Sequence, residues 1–160
     1  MSRLLFDIEG NGLRYGITHM WCAVVKDVGT GRVWKYREHE APCFIEKIQS
    51  ADCLIGHNII GYDLPAIWKL YGKWDKWPLI ADTIIISRFL QPERKGGQKP
   101  HSLEAWGQRL GFPKGDFHAF DEYTPEMLSY CQQDVELNHQ VLLALEEEHG
   151  STFQGFQVYK

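Results

Sequence analysis

Hydrophobic residues alternate with polar ones near the N-terminus and recur every three to four positions further along the chain. In the stretch RLLFDIEG, alternation places Leu4, Phe6 and Ile8 on one face of a predicted buried strand. The stretches HMWCAVVKD and GRVWKYRE follow, rich in strand-forming residues and separated by a GTG turn. This pattern predicts that the first three strands form an antiparallel meander.

The rest of the chain is predicted to be mainly helical, with one further strand in the stretch DCLIGHN. Periodicity, capping residues and helix-ending Gly or Pro delimit five helices, in the stretches APCFIEKIQSA, YDLPAIWKLYG, DTIIISRFLQP, HSLEAWGQRLG and TPEMLSYCQQDVELNHQVLLALEEEHG. In the last of these, Thr124 caps the helix, Pro125 occupies its first position and Gly150 ends it. The third and fourth helices have their own predicted end residues, the N-caps Asp82 and Ser102 and the stop Gly111. The fourth strand follows a helical crossover and is expected to lie parallel to the first. The sequence therefore predicts an α/β domain with a mixed central sheet.

Polar side chains stand where the two parallel strands end. Asp7 and Glu9 are two positions apart at the end of the first strand, so they share a face. His57 and Asn58 end the fourth strand. The functional groove of such a sheet lies at the carboxyl ends of its parallel strands, so we expect both pairs to face it. Two carboxylates placed in this way repel each other unless a positive group joins them.

Two more carboxylates are candidates for the same groove. Asp63 opens the helix after the fourth strand, where it also complements the helix dipole. Asp134 falls within an apolar stripe of the last helix, where an unpaired charge is costly. The stripe consists of Met127, Tyr130, Asp134, Leu137 and Val141. An arginine or a bound cation would satisfy Asp134, and Tyr130 lies one helical turn before it on the same face.

Four carboxylates and a tyrosine suit a particular chemistry. Magnesium and manganese prefer oxygen ligands, and four carboxylates can hold two such ions. Two metal ions about 3.5–4 Å apart stabilise the attacking and leaving oxygens of an in-line displacement at phosphorus. With an unperturbed pKa near 10, Tyr130 is a poor base at neutral pH and is expected to orient the attacking water instead.

Composition fits a single domain without a membrane segment. The chain has 160 residues, of which 44% are hydrophobic, and no stretch approaches the length of a membrane span. The four cysteines are scattered, which favours small buried residues in a reducing compartment. A net charge of −4 argues against a protein that coats nucleic acid. One basic loop, with Arg88, Arg94, Lys95 and Lys99, could still contact a few phosphates.

The motifs resemble those of a known family. FDIEGNGL, GHNIIGYDLPAI and YCQQDVELN are similar to the three exonuclease motifs of the proofreading 3′→5′ exonuclease domain of family A DNA polymerases. HSLEAWGQRLG is similar to the phage type of these enzymes. The family is the tyrosine branch of the DEDD superfamily, and the resemblance implies its RNase H-like (DnaQ-like) α/β fold. In that fold the first three strands are antiparallel and belong to a mixed central sheet, which is flanked by helices.

The resemblance also implies a set of catalytic residues. Carried over by position, Asp7, Glu9, Asp63 and Asp134 would be ligands of two divalent cations, Mg²⁺ or Mn²⁺. Tyr130 would position the nucleophilic water. The resemblance covers about residues 4–145, and we expect an exonuclease domain of residues 1–149 followed by a C-terminal tail of residues 150–160.

Five further residues are candidates for binding the substrate. By resemblance, Leu13 would insert against the terminal base and Asn58 would contact the strand near its 3′ end. His57 would line the groove or make a structural hydrogen bond, and Tyr62 would stack on a base or pack in the core. His101, which follows the basic loop, is a candidate phosphate contact.

The hypothesis from sequence is a metal-dependent exonuclease that acts on single-stranded or frayed DNA 3′ ends, in proofreading or DNA processing. Two alternatives stay open: an RNA 3′-end trimming enzyme of the same superfamily, and a non-catalytic scaffold associated with a polymerase. We expect a cytoplasmic monomer, in a bacterium or a phage-infected host, with a DNA polymerase as partner in cis or in trans. The tail, with aromatic residues at every third position, would pack on the domain or dock that partner.

Overall fold

The computed structural model describes residues 1–159 and shows a five-stranded sheet with helices on both faces. The strands are β1 (Arg3–Gly10), β2 (Met20–Asp27), β3 (Val33–Arg37), β4 (Cys53–Gly56) and β5 (Leu79–Asp82). The helices are α1 (Ala41–Gln49), α2 (Asp63–Tyr71), α3 (Thr83–Leu90), α4 (Leu103–Leu110) and α5 (Pro125–His149). A short 3₁₀ turn, Glu38–Glu40, precedes α1. Among the described residues, none of these helices is both long and apolar enough to cross a membrane.

The sheet is mixed, as the sequence predicts. Its strand order is β3-β2-β1-β4-β5. Strands β1, β2 and β3 pair antiparallel, whereas β4 pairs parallel to both β1 and β5. Strand β5 was not predicted from the sequence, because a four-residue strand between Pro78 and a helix cap carries too little periodicity to be recognised. The carboxyl ends of three parallel strands, β1, β4 and β5, therefore meet at one edge of the domain.

Alternation along β1 divides the core into two layers. Leu4, Phe6 and Ile8 pack on the face that α1 and α2 cover. Leu5 points to the opposite face, which α3, α4 and α5 cover. Because both faces of the sheet are covered, β1 is buried on both sides along most of its length.

Capping residues set the helix ends that position the site. The side chains of Asp82, Ser102 and Thr124 accept hydrogen bonds from backbone N–H groups in the first turns of α3, α4 and α5. Gly111 and Gly150 end α4 and α5 in the left-handed conformation. All five caps were predicted from the sequence.

The end of β1 differs from the expectation. The strand continues to Gly10, so Asp7 and Glu9 lie within it, and its pairing with β2 shifts register between Glu9 and Gly10. A Cβ at Gly10 would lie 2.5 Å from the Ile17 side chain and 2.7 Å from the His19 carbonyl oxygen. Glycine therefore allows the following loop to return closely over the strand end.

The C-terminal tail contacts the edge of the sheet. Phe156 and Ile80 of β5 exchange two backbone hydrogen bonds, at 2.8 and 2.9 Å. The Tyr159 ring meets that of Trp68 edge-on at 4.6 Å, and Phe153 is buried, whereas the Phe156 side chain is 67% exposed. The tail thus shields an otherwise open strand edge. Its last residue, Lys160, lies outside the described residues.

Candidate active site

Four carboxylates from three separate elements face one cavity at the carboxyl ends of the parallel strands. Asp7 and Glu9 come from β1, Asp63 from the first turn of α2 and Asp134 from the middle of α5. The cavity has a volume of about 490 Å³. Its lining includes Asp7, Glu9, His57, Asn58, Tyr62, Asp63, Ile84, Lys99, Ser102, Leu103, Glu104, Lys114, Tyr130 and Asp134. The structure thus brings together all five residues that the sequence predicts as catalytic.

Local hydrogen bonds fix where Asp63 sits. The Ile8 N–H donates to Asp63 Oδ1 at 3.2 Å, which ties the first turn of α2 to β1. The preceding loop contains Asn58 at φ 61°, a left-handed conformation uncommon outside glycine. Asp82 holds this loop, since its carboxylate accepts hydrogen bonds from the N–H groups of Asn58 and Ile60 at 2.8 and 3.0 Å. Asp82 was predicted only as a helix cap, and this second contact depends on β5.

Burial raises the pKa of every carboxyl in the cluster, and repulsion between neighbouring carboxylates adds to the rise for Asp7, Glu9 and Asp63. Burial, followed by the charge of Asp134, raises the pKa of Asp7 to about 7. Burial and the charge of Asp7 raise the pKa of Glu9 to about 11. The same two causes raise the pKa of Asp63 well above its ordinary value, and burial raises that of Asp134. The cluster therefore favours any cation that enters it.

A lysine that sequence reasoning missed supplies part of the opposing charge. Lys114, in the loop between α4 and α5, places its Nζ 3.4 Å from Asp134 Oδ2 and donates a hydrogen bond to the Tyr130 hydroxyl. An arginine or a bound cation was expected beside Asp134. The arginine was a wrong prediction, because the charged side chain that pairs with Asp134 is a lysine. No periodic pattern marks a loop lysine, so the sequence offered no signal for it.

The donor set fits hard divalent cations. Among the described residues, the lysines that line the cavity are Lys99 and Lys114, against four clustered carboxylates. Asp134 is only 6% exposed, yet its Oδ1 has no hydrogen-bond partner among the described residues. A buried carboxylate oxygen without a donor is costly unless a cation joins it. Asp7, Glu9, Asp63 and Asp134 could therefore hold a divalent cation that prefers oxygen ligands.

The other predicted substrate contacts divide into two groups. His57, Asn58 and Tyr62 line the cavity, and the Tyr62 hydroxyl donates to the Gly12 carbonyl at 2.7 Å. Leu13 is 83% exposed at the mouth of a neighbouring cavity of about 400 Å³. That second cavity is mostly apolar, and its lining comprises Glu9, Gly10, Asn11, Gly12, Leu13, Tyr62 and Phe120.

His57 makes a structural contact as well as lining the cavity. Its Nδ1 lies 2.9 Å from the Thr83 hydroxyl oxygen. Burial lowers the pKa of His57 to about 4, so its ring is neutral at pH 7. His57 would therefore line the groove as an uncharged ring at neutral pH.

His101 and Arg94 are buried and lie outside the cavity lining, which the expected phosphate contacts did not anticipate. His101 is 8% exposed, does not line the cavity, and places its Nδ1 2.8 Å from the Ser87 hydroxyl oxygen. Arg94 is also buried, donates two hydrogen bonds of 2.7 Å to Glu148 and lies over the Trp106 ring at 4.5 Å. Both residues hold the basic loop against the helices.

The acidic cluster predicts how pH and metal act on stability. The raised folded-state pKa values mean that these carboxyls bind more protons in the folded protein than in the unfolded chain between about pH 4 and pH 7. Without metal, we therefore expect the thermal midpoint to fall as pH rises through this range. Metal ligands must be deprotonated, so Mg²⁺ or Mn²⁺ should raise the midpoint more at pH 8 than at pH 5.

Thermal unfolding at both pH values, with a chelator or with metal, measures these shifts. Sodium chloride at matched ionic strength is the control for general screening. Equal stabilisation by Mg²⁺ at both pH values, or by sodium, would contradict a cation site built from these carboxylates.

Comparisons with known proteins agree with this geometry. No protein-family model matches the sequence. The chain is 28% identical over 138 residues to the DNA-directed DNA polymerase of Escherichia phage T7, an alignment that covers 71% of the chain. It spans only 20% of that polymerase, so most of the relative's length has no counterpart here.

Solved structures share the fold at low sequence identity. Brucella melitensis NrnC with bound Mg²⁺ superposes with a TM-score of 0.68 at 16% identity, over 92% of this chain and 73% of that one. Phi29 DNA polymerase complexed with primer-template DNA superposes with a TM-score of 0.61 at 14% identity, over 97% of this chain and 32% of that one. The chain therefore has the RNase H-like (DnaQ-like) fold and is similar in sequence to a segment of phage DNA polymerases.

Proposed function

We propose that the chain is a metal-dependent 3′→5′ exonuclease that hydrolyses the terminal phosphodiester of single-stranded or frayed DNA and releases nucleoside 5′-monophosphates. The observation that carries this proposal is the convergence of Asp7, Glu9, Asp63 and Asp134 beside Tyr130 in one cavity. Homology to phage DNA polymerases supports DNA as the substrate and proofreading or DNA processing as the role.

The chain's own residues account for most of the proposed mechanism. Two Mg²⁺ or Mn²⁺ ions, when bound, would stabilise the negative charge that develops on the attacking and leaving oxygens. Burial raises the pKa of Tyr130, so its hydroxyl keeps its proton at neutral pH and orients the attacking water. Lys114 holds that hydroxyl in place through its hydrogen bond and also faces Asp134.

The second cavity suits the base of the terminal nucleotide. Its apolar lining includes Leu13 on one side and Phe120 on the other, and it shares Glu9 and Tyr62 with the acidic cavity. The Trp21 indole N–H donates to the Phe120 carbonyl at 2.8 Å and fixes the position of that loop. A base between Leu13 and Phe120 would hold the scissile phosphate near the carboxylates.

Two cations at the rim are suited to the preceding nucleotides. Lys99 lines the acidic cavity, and Arg88 lies one helical turn beyond Ile84, another lining residue. Both side chains are exposed, and neither has an acidic partner within ion-pair distance among the described residues. We assign them to backbone phosphates of the strand that leads to the 3′ end.

Replacing both rim cations should weaken binding of a long single strand far more than binding of a dinucleotide. The double variant Arg88→Ala/Lys99→Ala removes two phosphate contacts, so the log–log salt slope should become shallower by about 0.7 for each lost contact. Fluorescence anisotropy across a salt series measures it. Lys76→Ala, exposed at the opposite end of the parallel strands, is the matched control. An unchanged slope in the double variant would remove Arg88 and Lys99 from the binding surface.

Parallel digestion tests the proposed activity and its alternatives. Single-stranded DNA, a mismatched primer–template and RNA of the same sequence are incubated with Mg²⁺ or Mn²⁺. We expect both DNA substrates to be shortened from the 3′ end faster than RNA. Faster digestion of RNA would favour the RNA-trimming enzyme, because a 2′-hydroxyl would then be recognised. Metal binding without cleavage of any substrate would favour the non-catalytic scaffold.

Domain boundaries and partners complete the proposal. We propose that residues 1–149 form the exonuclease unit, that residues 150–160 pack against it, and that the unit is monomeric in the cytoplasm. The backbone bonds between Phe156 and Ile80 support the packed tail. The exposed Phe156 ring is available to a DNA polymerase in cis or in trans.

A further inference from the structure

A sulfur atom lies next to the acidic cluster, and the proposed nuclease chemistry does not use it. Cys131 of α5 is fully buried, and its Sγ lies 3.5 Å from the Asp7 carbonyl oxygen and 3.6 Å from Asp7 Oδ2. One donor atom from each of Asp7, Glu9 and Cys131 falls within 4.8 Å of the others. From the sequence, this cysteine was predicted only to be a small buried residue.

The spacing of these donors matches a metal with affinity for sulfur. Zinc binds thiolate sulfur at about 2.3 Å and carboxylate oxygen at about 2.0 Å, so tetrahedral ligands of these two types lie about 3.5 Å apart. The observed Sγ to Oδ2 distance is 3.6 Å. Magnesium and manganese select oxygen, whereas zinc and cadmium accept mixed sulfur and oxygen ligands.

A second observation also indicates a ligand at this place. Asp134 faces the same cavity, is more than nine-tenths buried, and leaves Oδ1 without a partner among the described residues. Asp7 and Glu9 line this cavity together with Asp134. The cluster thus offers an oxygen beyond those of Asp7 and Glu9.

We propose that Asp7, Glu9 and Cys131 form a binding site for a thiophilic divalent cation of the zinc or cadmium class. The Cys131 thiol loses its proton to solvent as the sulfur–metal bond forms. Asp7 and Glu9 are then held by the thiophilic ion and no longer available to Mg²⁺ or Mn²⁺. Zinc bound in this way inhibits Mg²⁺-dependent cleavage by this chain. This inhibitory consequence rests on the proposed exonuclease function, whereas the binding site does not.

Cadmium provides a readout that is independent of activity, because cadmium–thiolate bonds absorb in the ultraviolet. Cys43 is exposed and would bind cadmium by itself, so the full chain carrying Cys43→Ser is the reference protein. Titration with cadmium chloride should give a saturable absorption band in this reference. Adding Cys131→Ser should abolish the band and weaken cadmium binding at least about tenfold, the effect of losing one determinant of a metal site.

Three outcomes would overturn the proposed site. They are the absence of a band in the Cys43→Ser protein, a band that persists after Cys131→Ser, and X-ray absorption of the cadmium-bound reference without a sulfur neighbour. The last measurement needs no substitution at Cys131, so it decides the question even if Cys131→Ser fails to fold.

A cleavage assay tests the inhibitory consequence separately. The zinc concentration that halves Mg²⁺-dependent cleavage should rise at least about tenfold after Cys131→Ser, each variant being compared with its own zinc-free rate. Equal zinc sensitivity in both proteins would contradict competition through Cys131. If no protein cleaves DNA but cadmium still binds through sulfur, the exonuclease proposal fails and the metal site stands.

Discussion

Replacing Asp7 with Asn is expected to abolish cleavage and, at the same time, to raise the thermal stability of the metal-free protein. Even residues that only orient metal ligands typically contribute 10–100-fold to activity, so loss of a ligand should cost more than about 100-fold. Stability should rise because the variant removes one charge from a cluster in which burial and Asp134 raise the pKa of Asp7 to about 7. Each kcal/mol of relieved repulsion raises the midpoint by about 2–4 °C for a chain of this size.

Cleavage rates with Mg²⁺ and unfolding midpoints in a chelator at pH 8 measure the two effects together. Asp75→Asn is the matched control, since Asp75 is exposed and lines a different cavity at the other end of the domain. Neither quantity should change in that control. A loss of activity accompanied by a loss of stability would show that Asp7 is structural, and full activity would remove it from the site.

Replacing Lys114 with Met should lower activity by about 100-fold, the effect typical of losing a positioned group in a reaction centre. The lysine pairs with Asp134 and donates to Tyr130, so its loss leaves a buried carboxylate and a hydroxyl without their partner. We therefore also expect a lower unfolding midpoint, the opposite of the effect of Asp7→Asn. Lys114→Arg, which keeps the positive charge, should restore part of both.

Single-turnover cleavage by Lys114→Met and Tyr130→Phe resolves how the two residues cooperate. If Lys114 acts by holding the Tyr130 hydroxyl, the double variant should be little worse than the more damaged single variant. Lys35→Met, at an exposed position of the edge strand β3, is the control. If the loss of rate in the double variant equals the product of the two single losses, Lys114 and Tyr130 act independently.

Local chemistry made most of the fold and the carboxylates predictable. Alternation in β1 separated the core residues Leu4, Phe6 and Ile8 from Asp7, and helical caps set the helix ends. An acid inside an apolar stripe marked Asp134, because a carboxylate is rarely retained in such a place without a cation. These signals depend only on neighbouring residues in the sequence.

Contacts between segments that are distant in the sequence could not be predicted from it. Lys114 and Phe120 lie in a loop without periodicity, and only the folded chain places them beside Tyr130. Arg94 and His101 looked like phosphate contacts because the loop is basic, but Glu148 and Ser87 hold them inside. Whether a charged side chain faces solvent or a distant partner is decided by tertiary packing.

The polarity and metal dependence of cleavage test the central claim most directly. A single-stranded DNA labelled at its 5′ end is incubated with the full chain and Mg²⁺, with a chelator, and with the Asp7→Asn variant. We predict a ladder of progressively shorter labelled products with Mg²⁺ alone, and an intact strand in the other two reactions. A ladder that persists in the chelator or in Asp7→Asn, or immediate release of the labelled 5′ nucleotide, would contradict a 3′→5′ exonuclease built on these carboxylates.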